Sequence, residues 1–195
     1  MAITIQHGVP NSHLPIALIP HWGEYPNVEA ALRLGWENNT LFLNFKVRSP
    51  QLIRMVQAHN GPVYEDSCTE IFIKRADRRE YLNFEFSAST FILAAKGTNR
   101  DDRIFFEPAV IDQITRRVEI LENNNHQSRY AMSIALDLEC FGLVDKGESP
   151  NLLANFTACG DGHKERYYVA ANPIQTVKPD FHTPQYFTPL IFSER

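Results

Sequence analysis

The sequence predicts an all-β protein: an antiparallel β-sandwich of the immunoglobulin-like or jelly-roll-like kind, with one or two short helices. Three observations predict it. Runs in which apolar and polar residues strictly alternate recur along the chain. Polar turn segments separate these runs at short intervals. The 12 prolines fall mostly between the runs, where a residue without a backbone N–H does not interrupt a strand ladder.

The elements follow in order. A first short strand is expected over 2–6. In the next run Val28, Ala30, Leu32, Leu34 and Trp36 share one face, and Glu29, Arg33 and Gly35 the other. The turn Glu37-Asn38-Asn39-Thr40 then leads into Leu41, Leu43, Phe45 and Val47, which alternate with Phe42, Asn44 and Lys46. Two alternating runs about an Asn-Asn pair read as a β-hairpin. Ser49 followed by Pro50 predicts a short helix over 49–56, with Ser as N-cap and Pro in the first turn. A second hairpin is expected from 69–74 and 81–87 around Ala76-Asp77-Arg78-Arg79. Its core face carries Ile71, Ile73, Leu82, Phe84 and Phe86; Glu70, Phe72, Tyr81, Asn83 and Glu85 point the other way. Further strands are expected at 89–95, 103–107, 114–121, 130–136, 152–157, 167–171 and 188–193, with one helical turn at 137–142. Clean alternation implies sheets with one face in the core and the other in water. The solvated face is then a natural place for a ligand.

A chain of 195 residues fits a single domain, 1–195. The formal charge of -4 lacks the basic footprint of a phosphate-backbone binder, so no nucleic acid is expected. No apolar run approaches the roughly 18 residues of a transmembrane helix, so no membrane partner is expected. The opening MAITIQHGVP has neither a charged nor an apolar leader region; a cytoplasmic protein, or one whose leader lies elsewhere, is expected. Cys68, Cys140 and Cys159 show no CxxC or Cys/His zinc spacing and read as buried reduced thiols.

Common catalytic signatures are missing. The seven histidines form no HExxH pair, and no GxSxG, GxGxxG or phosphate-binding loop is present. Three acids crowd Tyr64-Glu65-Asp66-Ser67-Cys68-Thr69-Glu70. Glu65 and Asp66, as sequence neighbours, cannot share a strand face, which disfavours a pair flanking a glycosidic bond. Most aromatics occupy core positions. Tyr64, behind Gly61-Pro62, and Phe181, in Pro179-Asp180-Phe181-His182-Thr183-Pro184, lie instead in irregular segments. Aromatics shown by loops suit the flat C–H faces of sugars; the alternative is that they cap the sandwich ends.

Several segments resemble carbohydrate-binding module family 9. Residues 31–43, with Gly35-Trp36-Glu37-Asn38 and Leu41-Phe42-Leu43, are similar to that family's Trp-Asp hairpin. Tyr64-Glu65-Asp66 running into Glu70-Ile71-Phe72-Ile73 resembles its aromatic–acidic segment and following strand. Tyr81-Leu82-Asn83-Phe84-Glu85-Phe86, Asn155-Phe156-Thr157 and the tail from Pro179 to Phe192 resemble later strands. The resemblance implies a β-sandwich that binds a sugar, often at a glycan chain end, between two aromatic rings. The rings match Tyr64 and Phe181, where the best-known pattern has Trp at both. Glu70 matches an acid that binds hydroxyls, Asn83 stands where the pattern has an Arg, and Thr157 falls near a polar amide position. The family often carries calcium. Asp101 and Asp102 are the candidate oxygens, but no calcium-loop spacing surrounds them, so no cofactor is expected.

The expectation is non-catalytic binding of an oligosaccharide or polysaccharide. Tyr64 and Phe181 stack on the sugar; Glu70, Asn83, Thr157 and His182 bind its hydroxyls. A separately encoded glycoside hydrolase is the expected protein partner. The alternatives are a β-sandwich glycan hydrolase or lyase using Glu65, Asp66, Glu70 or His182, and a protein-interaction domain.

Overall fold

The computed structural model describes residues 2–10 and 13–193. Thirteen strands make up nearly all its regular structure among these residues: β1 (Ile3–His7), β2 (Ile16–Pro20), β3 (Glu29–Glu37), β4 (Thr40–Ser49), β5 (Cys68–Arg75), β6 (Tyr81–Ser87), β7 (Ile92–Gly97), β8 (Ile104–Phe105), β9 (Thr115–Asn123), β10 (Ser128–Asp137), β11 (Leu152–Cys159), β12 (Tyr168–Ala170) and β13 (Thr188–Phe192). A single helical turn, α1 (Pro108–Ile111), carries Pro at its start.

Hydrogen bonding runs in the order β8-β7-β6-β5-β11-β12-β2-β3-β4-β10-β9. The path folds over itself as two layers. One holds β5–β8 and β11, the other β3, β4, β9 and β10; β12–β2 pairing joins them along one side. There β1 lies parallel to both β13 and β3. The two ends of the path are protected differently. β8 is only two residues long, and β9 carries Arg116, Arg117, Glu119 and Glu122 along its length.

The expected alternation holds where the layers face each other. Ile71, Ile73, Phe84, Phe86 and Phe156 from one layer pack against Leu32, Leu43, Phe45, Met132 and Ile134 from the other. The β3–β4 hairpin pairs Glu37 with Thr40. Asn38 and Asn39 both adopt positive φ, 49° and 59°, as a two-residue turn of this hand requires.

Four expectations need correction. Residues 51–57 do not form a helix. Their N–H groups turn outward to side chains: Met55 and Val56 donate to the Asp66 carboxylate at 2.7 and 3.2 Å, and Ile53 to Ser67 Oγ at 3.0 Å. These partners, sixty-odd positions into the chain, outcompete the local i→i−4 bonds. Nor does a helix form after β10. Asp137 Oδ1 there accepts from the N–H groups of Glu139 and Cys140 and makes a turn. Cys140, in that turn, is exposed, while Cys68 and Cys159 are buried thiols. Most consequentially, the second face of the β5–β7 and β11 layer is not solvated. Phe72, Tyr81, Leu93, Phe181 and Phe187 form a second apolar cluster on it. The segment after β12 crosses this face and covers it. Beyond these, β2 had no alternating signature that would announce a strand.

Candidate functional site

The covered face carries the polar residues singled out from sequence. Strand register sets them in rows. Thr157 on β11 lies opposite Glu70 on β5, and Glu70 lies opposite Glu85 on β6. One row away, Asn155, Phe72 and Asn83 align in the same manner. On the other side Cys159 lies opposite Cys68. Glu70 and Glu85 are only 3% and 4% exposed.

A cleft of about 160 Å³ opens above Glu70 and Glu85. Tyr64 forms one side, from a 3-10 turn at Val63–Glu65 just ahead of β5. Asp161 and Tyr168 line it from β11–β12, and Arg100 and Arg103 from the loop before β8. Asp180, Phe181 and His182 close the remaining side. The loop after β11 is tied to the Tyr64 turn: Asp161 N–H donates to the Tyr64 carbonyl at 3.2 Å, and Gly162 N–H to the Glu65 carbonyl at 3.1 Å. A Cβ on Gly162 would stand 2.3 Å from that Glu65 carbonyl oxygen, so only glycine permits the approach.

The electrostatics follow from burial. Burial raises Glu70 to about 7, against hydrogen bonds from Thr157 and Cys159 that favour its charged form. Thr157 Oγ1 donates to Glu70 Oε2 at 2.5 Å, and Cys159 Sγ lies 3.4 Å from Oε1. Burial and then the neighbouring Glu70 charge hold Glu85 well above the usual carboxylate range. Glu85 Oε1 accepts from Asn83 Nδ2 at 3.1 Å. Arg103 Nη1 lies 3.8 Å from that oxygen and donates to Asn83 Oδ1 at 3.0 Å. His182 Nδ1 and the Tyr81 hydroxyl are 2.8 Å apart. Burial, followed by the charges of Arg103 and Arg100, lowers His182 to about 3, so the ring is neutral at ordinary pH.

Of the six sequence-predicted site residues, Tyr64, Glu70, Phe181 and His182 line the cleft. Asn83 and Thr157 do not; both are fully buried beneath it, bonded to the two glutamates. Phe181 is not a loop-exposed ring. It is 8% exposed and packs against Trp22, Tyr168 and Phe72 at centroid distances of 5.5, 6.1 and 6.2 Å. Tyr64 is 37% exposed. Asp66 does not line the cleft; it is buried, and Met55, Val56 and Ser87 donate to its oxygens. The oxygens of Asp102 are likewise taken by Thr98 and Asn99.

Sequence reasoning missed Glu85, Arg100, Arg103, Asp161 and Tyr168 as cleft residues. Glu85 was legible, since it shares a strand face with Asn83. Arg103 was not. Its loop has no periodicity, and only the fold brings it over β6.

The sequence matches carbohydrate-binding family 9 over residues 7–192. The chain belongs to carbohydrate-binding family 9. No curated protein matches its sequence. Solved structures share the fold of this family 9 module at low identity. A candidate carbohydrate-binding protein from Bacteroides uniformis superposes with a TM-score of 0.84 at 19% identity, covering 98% of this chain and 99% of its own. A family 9 carbohydrate-binding module from Caldicellulosiruptor kristjanssonii in complex with cellotriose has a TM-score of 0.63 at 15% identity, over 100% and 95% of the two chains. The glucose complex from the same organism gives 0.62 at 16%, over 100% and 97%. The family 9 module described here thus places its cleft on a β-sandwich of the same architecture.

Proposed function

We propose that this family 9 module binds a saccharide non-catalytically in the cleft between Tyr64 and the 179–182 segment. The observation that carries the reading is the convergence of Tyr64, Glu70 and His182 on one cleft in a family 9 chain. Tyr64 offers its ring to a sugar face. Phe181 backs the opposite wall from within its aromatic cluster. Glu70 accepts hydroxyl hydrogen bonds when ionised, and neutral His182 adds a further polar group at the wall. Asn83 and Thr157 act from below by holding Glu85 and Glu70. The cleft has the volume for a sugar unit rather than a long chain, which favours recognition of a monosaccharide or a chain terminus.

The paired carboxyls of Glu70 and Glu85 are the feature an enzyme would need. They stand side by side on adjacent strands, where facing Cβ atoms are roughly 4.5–5.5 Å apart. One oxygen of each is already engaged inside the fold, Glu70 Oε2 by Thr157 and Glu85 Oε1 by Asn83, and both residues are buried, which suits holding a ligand more than attacking it. Binding is the better reading.

Isothermal titration with mono- and oligosaccharides, including cellotriose, glucose and chains with reduced ends, tests it. Saturable heat that is lost on reducing the chain end supports terminus recognition. Release of products from a polysaccharide panel would instead support the enzyme. Silence across both would overturn the binding reading.

A further inference from the structure

Three metal-ligating groups meet where β5 and β11 run side by side. Cys68 and Cys159 are opposed in register. Their sulfurs and a Glu70 carboxylate oxygen all lie within 4.8 Å of one another, and all three residues are buried. The Cys159 Sγ–Glu70 Oε1 distance is 3.4 Å. A tetrahedral ion with bonds of about 2.3 Å to sulfur and about 2.0–2.2 Å to oxygen brings its ligands to a similar spacing. Thr157 occupies the other oxygen, Oε2, at 2.5 Å. It leaves Oε1 turned toward the thiol, the role an outer-shell donor plays at metal sites.

A second observation points to a cation. Glu85 stands opposite Glu70 and lines the same cleft. Its Oε2 is buried without a hydrogen-bond partner among the described residues. A buried carboxylate oxygen left in this state is costly, and a neighbouring positive ion would offset that cost. Access exists, because Glu70 and Cys159 both line the open cleft. Two sulfurs and one oxygen select a thiophilic ion over calcium or magnesium.

We propose that Cys68, Cys159 and Glu70 form a three-ligand site for a divalent cation of the zinc class, with a fourth position open toward the cleft. The site goes beyond sugar binding and does not depend on it. It does share Glu70 with the cleft, so an ion there would engage the carboxylate offered to the sugar.

Cobalt(II), added without sugar to the fully reduced chain, is the probe. A thiolate-to-cobalt charge-transfer absorption that saturates at a single equivalent and is displaced by zinc is the expected result. The variant Cys140→Ser should retain it, because that thiol is exposed elsewhere; Cys68→Ser and Cys159→Ser should each lose most of it. Should those two variants fail to fold, X-ray absorption on the zinc-loaded wild-type chain decides. Two sulfurs at about 2.3 Å with a lighter neighbour support the site. No charge-transfer band, a band that survives Cys68→Ser, or a zinc shell without sulfur would overturn it. None of these readings involves saccharide, so failure here leaves the titration result standing.

Discussion

Arg103 reaches from the loop before β8 to Asn83 on β6, and its Nη1 donates to Asn83 Oδ1 at 3.0 Å. Asn83 in turn donates to Glu85 Oε1 at 3.1 Å. The guanidinium thus sits over a strand position that itself carries an amide, and it is the nearest cation to a buried acid. The pair shows how the covered face tolerates its carboxyls: polar groups from outside the strand meet them.

Removing that guanidinium is therefore expected to destabilise the fold. Arg103→Leu leaves Glu85 with only the Asn83 amide in a buried setting. A loss of about 1–3 kcal/mol is the general scale for leaving buried polar groups without their partner. Urea unfolding measures it. Adding Glu85→Gln should recover much of the loss; a strictly additive double variant would refute the coupling.

Tyr64→Ala is expected to weaken saccharide binding about tenfold while leaving stability nearly unchanged. The ring is partly exposed, and the hydrogen bonds of this residue run through its carbonyl. Stacking of an aromatic face is worth about 1 kcal/mol beyond its area. Titration and thermal unfolding of one sample separate the effects. Loss of folding would make Tyr64 a core cap instead.

Phe181→Ala should do the opposite in order of size. The ring is buried among Trp22, Phe72 and Tyr168, and such truncations cost about 3–5 kcal/mol. The unfolding midpoint should fall clearly. A fully stable variant would show the 179–182 segment to be loosely held.

Gly162→Ala tests how the Tyr64 turn is held. The added methyl meets the Glu65 carbonyl, and relieving it must stretch the bonds from Asp161 and Gly162. A cost of about 1–3 kcal/mol is expected, together with weaker sugar binding. Unchanged affinity would show that the cleft does not need this tie.

Two buried histidines should withdraw stability as pH drops below neutral, while two buried glutamates return it. Burial lowers His163 to about 4, and burial with Arg103 and Arg100 lowers His182 to about 3, both from 6.5. The folded state keeps both rings neutral, whereas the unfolded chain protonates them below about 6.5. The unfolded state then binds more protons, so stability present above about 6.5 is lost as pH falls toward 4. Each ring contributes about 1.4 kcal/mol per pH unit within that window. Glu70 and Glu85, raised in the fold, bind protons there that the unfolded chain has released, and so offset the histidine slope over the same range. Urea midpoints from pH 7.5 to 5 should therefore move in the stabilising direction in His163→Gln relative to the unaltered chain as pH falls. An unaltered slope in that variant would mean that His163 titrates normally in the fold.

Much of the architecture was legible in the chain. Ile71, Phe84 and Phe156 announced the core face because side chains alternate about a strand with period two. Asn38-Asn39 announced the hairpin because these residues accept positive φ. The same parity placed Glu70, Asn83 and Thr157 together on the other face. Parity says which way a side chain points, however, and not what lies above it. The covering of that face came from 172–187, a segment with no periodicity of its own. It turned expected surface into a second core and buried Phe181.

Register between distant strands was equally silent. Cys68 and Cys159 are far apart in sequence, as are Glu70 and Thr157, and their meeting depends on how β11 pairs with β5. Arg103 reaches Asn83 only because β8 pairs with β7 and brings its loop over the face. By itself the sequence determined strand faces, turns and the sandwich class, since these depend on residues close along the chain. The tertiary structure alone decided which acids and thiols became neighbours and how far they left water. Those are matters of long-range pairing and burial, and no local pattern encodes them.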